Sequence, residues 1–385
     1  MEIVDIISRY IPLRRKNGHV YQGLCPFHIS KEPTLEVDRQ GQVFYCPVCG
    51  NGGDVGFFLK KIGAIKEGAG MEIPPEKEIR LIEALLLAAL FYHRILISPG
   101  GQKAFQYLLE RGVREETIRD RMIGYAPRQR DALTKYFLEK GYDPVEMTEI
   151  GLLVRNERMY QDRYYNRIML PVEDVGGSLV AFVGRSVGTG KPKYLLPPDT
   201  PLFHKRRSLF NFNKAKEAIM ENGEVVLVEG YMDALSVYQA GIANVVASQG
   251  TSITPEMADL LRDYTKKVII CYDGDDAGRY GAYHTSKTLE ELGFDVKVAL
   301  IPEGDPDEFI RTKGVEEFRR ILSNAAPARH FRWKYDWGKV DKESAVEKLY
   351  FLMQLEEEEA ETEDVEFLAR LLEIPPQKII PYLQR

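Results

Sequence analysis

The chain has 385 residues, 44% hydrophobic and 29% charged, a mixture that excludes a disordered or fibrous protein and is too long for one typical core, so two to four domains are expected. It contains no apolar run of about 18 residues, and Glu2 and Asp5 with no apolar stretch behind them exclude a secretory signal, so a cytoplasmic protein with no membrane segment is expected. The formal net charge of −6 alone argues against nucleic-acid binding, yet Arg155 to Arg207 holds ten Lys/Arg against five Asp/Glu, while Glu356 to Glu366 holds eight acids and no base. A basic middle on an acidic body predicts one polyanion-facing surface.

Residues 1–65 read as a helix from Ile3 to Arg9, short strands broken at Asn17-Gly18 and Gln40-Gly41, and a helix beginning near Gly53-Asp54. Three of the four cysteines fall between residues 25 and 49, too clustered for a disulfide framework, and in a reducing compartment such clusters hold metal. Cys25-Pro-Phe-His28 and Cys46-Pro-Val-Cys49 form two knuckles separated by seventeen residues. Their four donors suit tetrahedral Zn²⁺ in a closed structural site, and the metal would contribute folding energy to a module with little core. Gly50 allows a tight turn after the second pair. Arg14, Arg15, Lys16, His19, Tyr21, Lys31, Phe44 and Tyr45 mix cations and aromatics in a way that suits single-stranded DNA, although a solvated face with ordinary strand aromatics would look similar.

Lys66 to Pro75, with Gly68, Gly70 and Pro74-Pro75, reads as a linker. From Glu76 to about Lys140 the apolar spacing is helical, as in Leu81, Leu85, Ala88 and Tyr92, then Phe105, Leu108 and Leu109. Ile168 to Val172 and Leu179 to Val183 flank Gly176-Gly177 and predict a β-hairpin. Strands at Val225–Val228, Val245–Ala247, Val268–Tyr272 and Val296–Ile301 then alternate with helices at Met232–Gln239, Pro255–Arg262 and Ala277–Leu292. That alternation predicts a parallel sheet covered by helices, with Cys271 as a buried strand residue. Residues 314–385 return to helical periodicity, which predicts a small bundle.

Glu229-Gly230-Tyr231-Met232-Asp233 follows the first of these strands, Asp273-Gly274-Asp275-Asp276 the third, and Asp305-Pro306-Asp307-Glu308 the fourth. Ligands of open parallel sheets bind at the carboxyl ends of strands, so the clusters should converge there, with Gly230 and Gly274 letting the chain leave the strands sharply. Crowded carboxylates repel unless cations intervene, and hard oxygen donors select Mg²⁺ or Mn²⁺. Any one of these acids could instead be a helix N-cap.

The Glu after one strand and Asp-x-Asp after another resemble the TOPRIM fold of DnaG primases, topoisomerases and some nucleases. Glu229-Gly-Tyr-Met-Asp233, Ser248-Gln-Gly-Thr251, Tyr272-Asp-Gly-Asp-Asp-Ala-Gly-Arg279, Gly304-Asp-Pro-Asp-Glu308, Gly23-Leu-Cys-Pro-Phe-His28 and the zinc spacing narrow the resemblance to DnaG-type DNA primases over about residues 1–310. The resemblance implies a multi-domain α+β chain: a β-rich zinc ribbon at 1–65, a linker at 66–75, a basic subdomain of a mixed α/β RNA polymerase core at 76–220, a TOPRIM parallel-sheet subdomain at 221–312 and a helical bundle at 313–385. It implies zinc on Cys25, His28, Cys46 and Cys49, and magnesium or manganese on Glu229, Asp273 and Asp275, with Asp233, Asp305 and Asp307 supporting them or binding a second ion. Glu229 is also a candidate for acid/base work.

Asn166-Arg167, Gly184-Arg185, Lys191-Pro-Lys193 and Phe203-His204-Lys205 are similar to the family's basic motifs, which makes Arg167, Arg185, Lys193 and Lys205 candidates for template or NTP binding. Three departures stand out. Tyr165 replaces a frequent Arg, Cys-Pro-Val-Cys replaces the more usual Cys-Phe-Gly-Cys, and Thr34-Leu35 replaces a Ser-Phe pair.

The implied activity is synthesis of short RNA primers de novo on single-stranded DNA from NTPs, with the zinc module helping to hold template. A monomer is expected. The family usually ends in a further helical domain that binds the replicative helicase, and only about 75 residues follow position 310. A shortened or naturally short chain with little helicase binding is therefore expected. A topoisomerase would need a nucleophilic Tyr in a separate domain and usually carries zinc after its core, and a non-catalytic DNA-binding scaffold would ignore the catalytic metals.

Overall fold

The computed structural model describes residues 2–8, 10–28, 32–55, 57–58, 74–157, 159–188, 190–250, 252–355 and 361–383. Arg9, Lys31, Thr251, Glu356 to Glu359 and all but Pro74-Pro75 of the expected linker lie outside them. The chain divides into two units, Met1–Lys214 and Ala215–Arg385.

In the first unit, Ile3–Ile7 is helical, and five antiparallel strands follow in spatial order: β1 (Arg14–Asn17), β2 (Val20–Gly23), β3 (Leu35–Asp38), β4 (Val43–Tyr45) and β5 (Gly52–Gly53). Gly18 turns β1 into β2 at φ +39. Ile3, Ile6, Ile7, Leu35, Val37, Phe44 and Phe58 are buried together. The outward–inward–outward alternation of β4 exposes Val43 and Tyr45 and buries Phe44, whose ring meets Phe58 edge-on at 5.3 Å. Phe44 is therefore a core residue and not part of a DNA-gripping face, whereas Tyr45 is 54% exposed.

The long helix Pro75–Leu96 buries Leu81, Leu85, Ala88 and Tyr92, the stripe predicted by its period. Shorter helices follow at Gln102–Glu110, Glu115–Asp120, Ala132–Glu139 and Pro144–Glu149. One strand interrupts this section where only helix was expected: β6 (Gly124–Ala126) is too short to show a period and exists because it pairs with β9 (Arg167–Glu173). A small hairpin, β7 (Leu153–Asn156) with β8 (Met159–Asp162), precedes the predicted one. The predicted hairpin is β9 with β10 (Leu179–Ser186), and β11 (Tyr194–Leu195) completes a sheet of order β11-β10-β9-β6.

In the second unit, β12 (Val225–Val228), β13 (Val245–Ala247), β14 (Lys267–Ile270) and β15 (Asp295–Val298) form a parallel sheet of order β13-β12-β14-β15. The last two strands end earlier than expected, because the chain turns away from the sheet toward its acidic loops. An unexpected edge strand, β16 (Ala326–Pro327), pairs antiparallel with β15. The covering helices are Tyr231–Gln239, Pro255–Arg262 and Asp276–Glu291. Cys271 is buried just beyond β14, and burial pushes its thiol above the ordinary range.

Helices at Ala328–Trp337, Ala345–Met353 and Thr362–Leu372 contribute to an apolar cluster of Trp333, Phe351, Leu355, Leu368, Ile379 and Leu383. There the buried Asp364 accepts from His330 Nε2 at 2.7 Å and pairs with Arg329 at 2.9 Å. Among the described residues no single helix is long and apolar enough to cross a membrane.

Gly124 shows how closely helix and sheet approach. A Cβ there would lie 2.4 Å from Tyr92 Cβ and 2.7 Å from its carbonyl carbon. Gly124→Ala is expected to force the Pro75–Leu96 helix away from β6 and to cost about 1–3 kcal/mol, read as a lower urea midpoint with an unchanged slope.

Candidate functional site

The Cys/His quartet is assembled by two chain reversals. Cys25 and His28 follow β2; Cys46 and Cys49 follow β4, and Gly50 at φ +69 closes the second knuckle. Among the described residues this quartet is the group whose ligand atoms all lie within 4.8 Å of one another. Cys25 Sγ and Cys49 Sγ are 3.7 Å apart, against about 3.8 Å for two thiolates at tetrahedral angles on Zn²⁺ with bonds near 2.3 Å. Cys46 Sγ stands 3.9 Å from His28 Nδ1, and the buried His28 Nε2 has no hydrogen-bond partner. The donors therefore fit zinc in number, type and spacing. Asn51 Nδ2 donates to Cys49 Sγ at 3.2 Å and the Thr34 hydroxyl lies 3.6 Å from Cys46 Sγ, contacts that favour thiolates. Cys46 is lowered to about 7, because nearby backbone N–H groups and the Thr34 hydroxyl outweigh a burial effect that by itself would raise it.

The acidic centre lies in the second unit. β12, β14 and β15 are adjacent and parallel, so the chain following each leaves the same edge of the sheet. Glu229 Oε1 accepts from the Asp273 N–H at 3.3 Å, Asp233 Oδ1 accepts from the Asp307 N–H at 3.4 Å, and the Gly274 N–H donates to Gly304 O at 2.8 Å. These bonds join all three clusters. Asp275 Oδ1 caps the helix Asp276–Glu291 through the Gly278 N–H at 2.7 Å, and Asp305 Oδ1 caps Pro306–Lys313 through the Glu308 N–H at 2.7 Å. Both acids are thus N-caps, and capping by one oxygen fixes the direction of the other.

The glycines work differently from the sequence expectation. Neither Gly230 nor Gly274 has positive φ, so neither supplies a turn that only glycine can make. Instead a Cβ at 274 would meet Ile301 O at 2.7 Å, one at 230 would meet Asp233 Oδ2 at 2.3 Å, and one at 278 would meet Asp273 O at 2.3 Å. At 274 and 278 the obstacles are backbone atoms, so those two positions must be bare, while at 230 the obstacle is the Asp233 carboxylate.

Electrostatics records the crowding. Asp233 is raised to about 7 by burial, with Asp305, Asp273 and Asp307 adding to it. Glu229 is raised by burial and by Asp233 and Asp275, against the opposing Asp273 N–H. Arg311 lies 3.4 Å from the buried Asp307. That i, i+4 pair on the Pro306–Lys313 helix was readable from sequence spacing but not singled out. The acids form a looser group than the Cys/His quartet, which suits Mg²⁺, since Mg²⁺ takes one or two carboxylates and keeps waters.

A supporting layer also escaped sequence reasoning. Gln249 sits buried at φ +64, accepts from Tyr231 O–H at 3.0 Å, and leads into Gly250, whose N–H donates to Glu229 O at 3.0 Å. Only the assembled fold brings 249 to 229.

The predicted cations lie in the first unit. Arg167 is 8% exposed and donates through Nη1 to Gly184 O at 3.0 Å and Pro192 O at 2.9 Å. Arg185 is 4% exposed, donating through Nε to Tyr107 O–H at 2.9 Å and through Nη1 to Tyr194 O–H. Both spend donors inside the protein, so part of their work is to tie β9 and β10 to neighbouring segments. Lys193 is exposed, and Lys205 is half-buried with its ammonium lowered by burial.

Three family profiles match in chain order: "CHC2 zinc finger" over 1–69, "DNA primase catalytic core, N-terminal domain" over 91–216 and "Toprim-like" over 226–310. The DNA primase of Listeria monocytogenes is 40% identical over 349 residues, covering 83% of this chain and 56% of that protein. The DNA primase of Geobacillus stearothermophilus is 37% identical over 406 residues, covering 93% and 67%. The chain thus spans little more than half the length of the Listeria relative. Among solved structures, the zinc-binding and RNA polymerase domains of the Aquifex aeolicus primase align with TM-score 0.66 and 32% identity over 99% of this chain and 97% of that one. A DnaG primase catalytic domain bound to ssDNA aligns with TM-score 0.65 and 32% identity over 77% and 99%.

Stripping zinc with a chelator, or Cys46→Ala, is expected to abolish bound zinc and to concentrate protease cleavage in residues 1–58, read by metal analysis and mass spectrometry of the fragments. In metal-free protein the raised Asp233 holds a proton that the unfolded chain has released from about pH 4 upward until the folded value near 7 is passed. Stability is therefore expected to fall as pH rises through that window, and Asp233→Asn to flatten the slope, as read from denaturant midpoints.

Proposed function

The chain belongs to the family of DnaG-type DNA primases, and on that premise we propose that it is a DNA-directed RNA polymerase that makes short RNA primers de novo on single-stranded DNA during replication. The observation that carries the reading is the meeting of Glu229, Asp233, Asp273 and Asp307 at one edge of a parallel sheet, with Asp233 raised to about 7 by burial and by its acidic neighbours. Burying so much like charge is costly unless a cationic ligand is the purpose of the site.

Glu229, Asp273 and Asp275 would hold the catalytic ions, with Asp233, Asp305 and Asp307 supporting them or holding a second one. Bound Mg²⁺ or Mn²⁺ would supply Lewis acidity for attack by a 3′-hydroxyl and charge neutralisation for departing pyrophosphate. The side chains' own contribution is positioning. The caps at Asp275 and Asp305 fix two carboxylates before substrate arrives, and the Asp273 N–H fixes a third, that of Glu229. Glu229, raised above its ordinary value, is suited to accept a proton during nucleotidyl transfer.

Arg167, Arg185, Lys193 and Lys205 would face NTP phosphates or template, with Lys193 the most accessible. Zinc on Cys25, His28, Cys46 and Cys49 would be structural and would present Tyr45 and the cations of β1 to DNA. A cytoplasmic monomer completes the proposal, and gel filtration reads its oligomeric state.

Incubation with single-stranded template, labelled NTPs and Mg²⁺ is expected to yield RNA oligomers. Asp275→Ala is expected to reduce them by roughly a hundredfold or more while the zinc content stays unchanged. Relaxation of supercoiled DNA would instead point to a topoisomerase, and DNA binding without RNA synthesis to a scaffold.

A further inference from the structure

We propose that the loop 127–131, with Arg128 and with Arg130 stacked on Tyr165, is a binding surface for the single-stranded template that lies beside Lys193 and adds residues to the basic set described above. The proposal rests on the primase reading and extends it to a particular patch of the first unit.

The Arg130 guanidinium carbon lies 3.8 Å from the centroid of the Tyr165 ring. At that distance the planar cation sits on the face of the ring, where the quadrupole attracts it, while its N–H groups radiate in the plane and stay available to phosphate oxygens. Tyr165 is 38% exposed and Arg130 is exposed, so the pair lies at the surface. The ring stands where the resemblance leads one to expect an arginine, and the positive charge returns to the same place from a different segment.

The backbone beneath the pair is fixed. β6 runs antiparallel to β9 with Ala126 opposite Arg167, so the chain leaving β6 passes the chain entering β9. The Asp162 N–H donates to Arg130 O at 2.7 Å and the Asn166 N–H to Pro127 O at 3.0 Å. Tyr125 O–H donates to Asn166 Oδ1 at 2.9 Å, with Asn166 held at φ +51. A ligand meeting this surface has little ordering entropy left to supply.

The charge here is uncompensated. Asp131 pairs with Lys135 at 2.8 Å, and buried Asp162 accepts from the Leu133 and Thr134 N–H groups and the Thr134 hydroxyl. Among the described residues no carboxylate forms an ion pair with Arg128, Arg130, Lys191 or Lys193. The loop bearing both lysines is tied to the same edge by Val187 N–H to Asn166 O at 3.4 Å and by Arg167 to Pro192 O. Cations spread along an edge around an aromatic–guanidinium platform suit an extended chain of phosphates with unpaired bases that can stack, more than one compact triphosphate.

The test is fluorescence anisotropy of a labelled single-stranded oligothymidylate against salt, run beside the primer-synthesis assay. Arg130→Ala is expected to weaken binding roughly fivefold or more and to reduce the magnitude of the log K against log salt slope by about 0.7, with Arg128→Ala adding a similar reduction. Tyr165→Leu should weaken binding as Arg130→Ala does, whereas Tyr165→Phe, which keeps the ring, should restore it. Arg119→Ala, a charge-matched change on the Glu115–Asp120 helix, should leave both quantities unchanged. Wild-type affinity and slope in Arg130→Ala, or an equal loss in Arg119→Ala, would overturn the proposal while leaving the primase reading intact. Wild-type protein that neither binds the oligonucleotide nor makes RNA would overturn both.

Discussion

Mutual repulsion of carboxylates is the constraint around which the second unit is arranged. Three acidic loops leave neighbouring parallel strands at one edge, and backbone N–H groups hold them to one another, with Arg311 paired to Asp307 besides. Asp273 N–H to Glu229, Asp307 N–H to Asp233 and Gly274 N–H to Gly304 O are bonds the main chain can make at almost no cost in volume. Had arginines done this work, the negative potential that attracts a divalent ion would have been cancelled. The bare glycine at 274 follows from the same constraint, since a Cβ there would meet Ile301 O and the Glu303 backbone, whereas at 278 the obstacle is the Asp273 backbone and at 230 the Asp233 carboxylate.

The zinc module solves a different problem by related means. Its sheet of short strands buries a small aromatic core around Phe44 and Phe58, and four donors from two knuckles close the end that the core leaves open. In the carboxylate centre crowding leaves a negative field that a divalent cation would answer, whereas in the zinc module four donors would saturate the ion and make it part of the fold. Ligand softness and count separate the two cases.

Buried cations in the first unit show that charge on a basic motif is not the same as charge on a surface. Arg167 and Arg185 give donors to backbone carbonyls and tyrosine hydroxyls, adding side-chain bonds to strands already paired through their backbones. Lys193 remains exposed. A tally of Lys and Arg along residues 155–207 weights them all alike.

The sequence by itself determined the Cys/His quartet that the fold gathers, the order of strands and helices from Val225 to Val298, the β9–β10 hairpin and the positions of the acidic clusters. These rest on local pattern: two residues between metal donors, short apolar runs bounded by turns or helices, and acids immediately after strands. Tertiary structure alone decided which acids also cap helices, what a side chain at 230, 274 or 278 would meet, that Phe44 turns inward, that Gly124–Ala126 becomes a strand, and that the Gly250 N–H reaches the Glu229 carbonyl. Each of these depends on contacts between residues far apart in the chain. Periodicity reports which side of an element is apolar, but what that side meets is settled only when the elements pack.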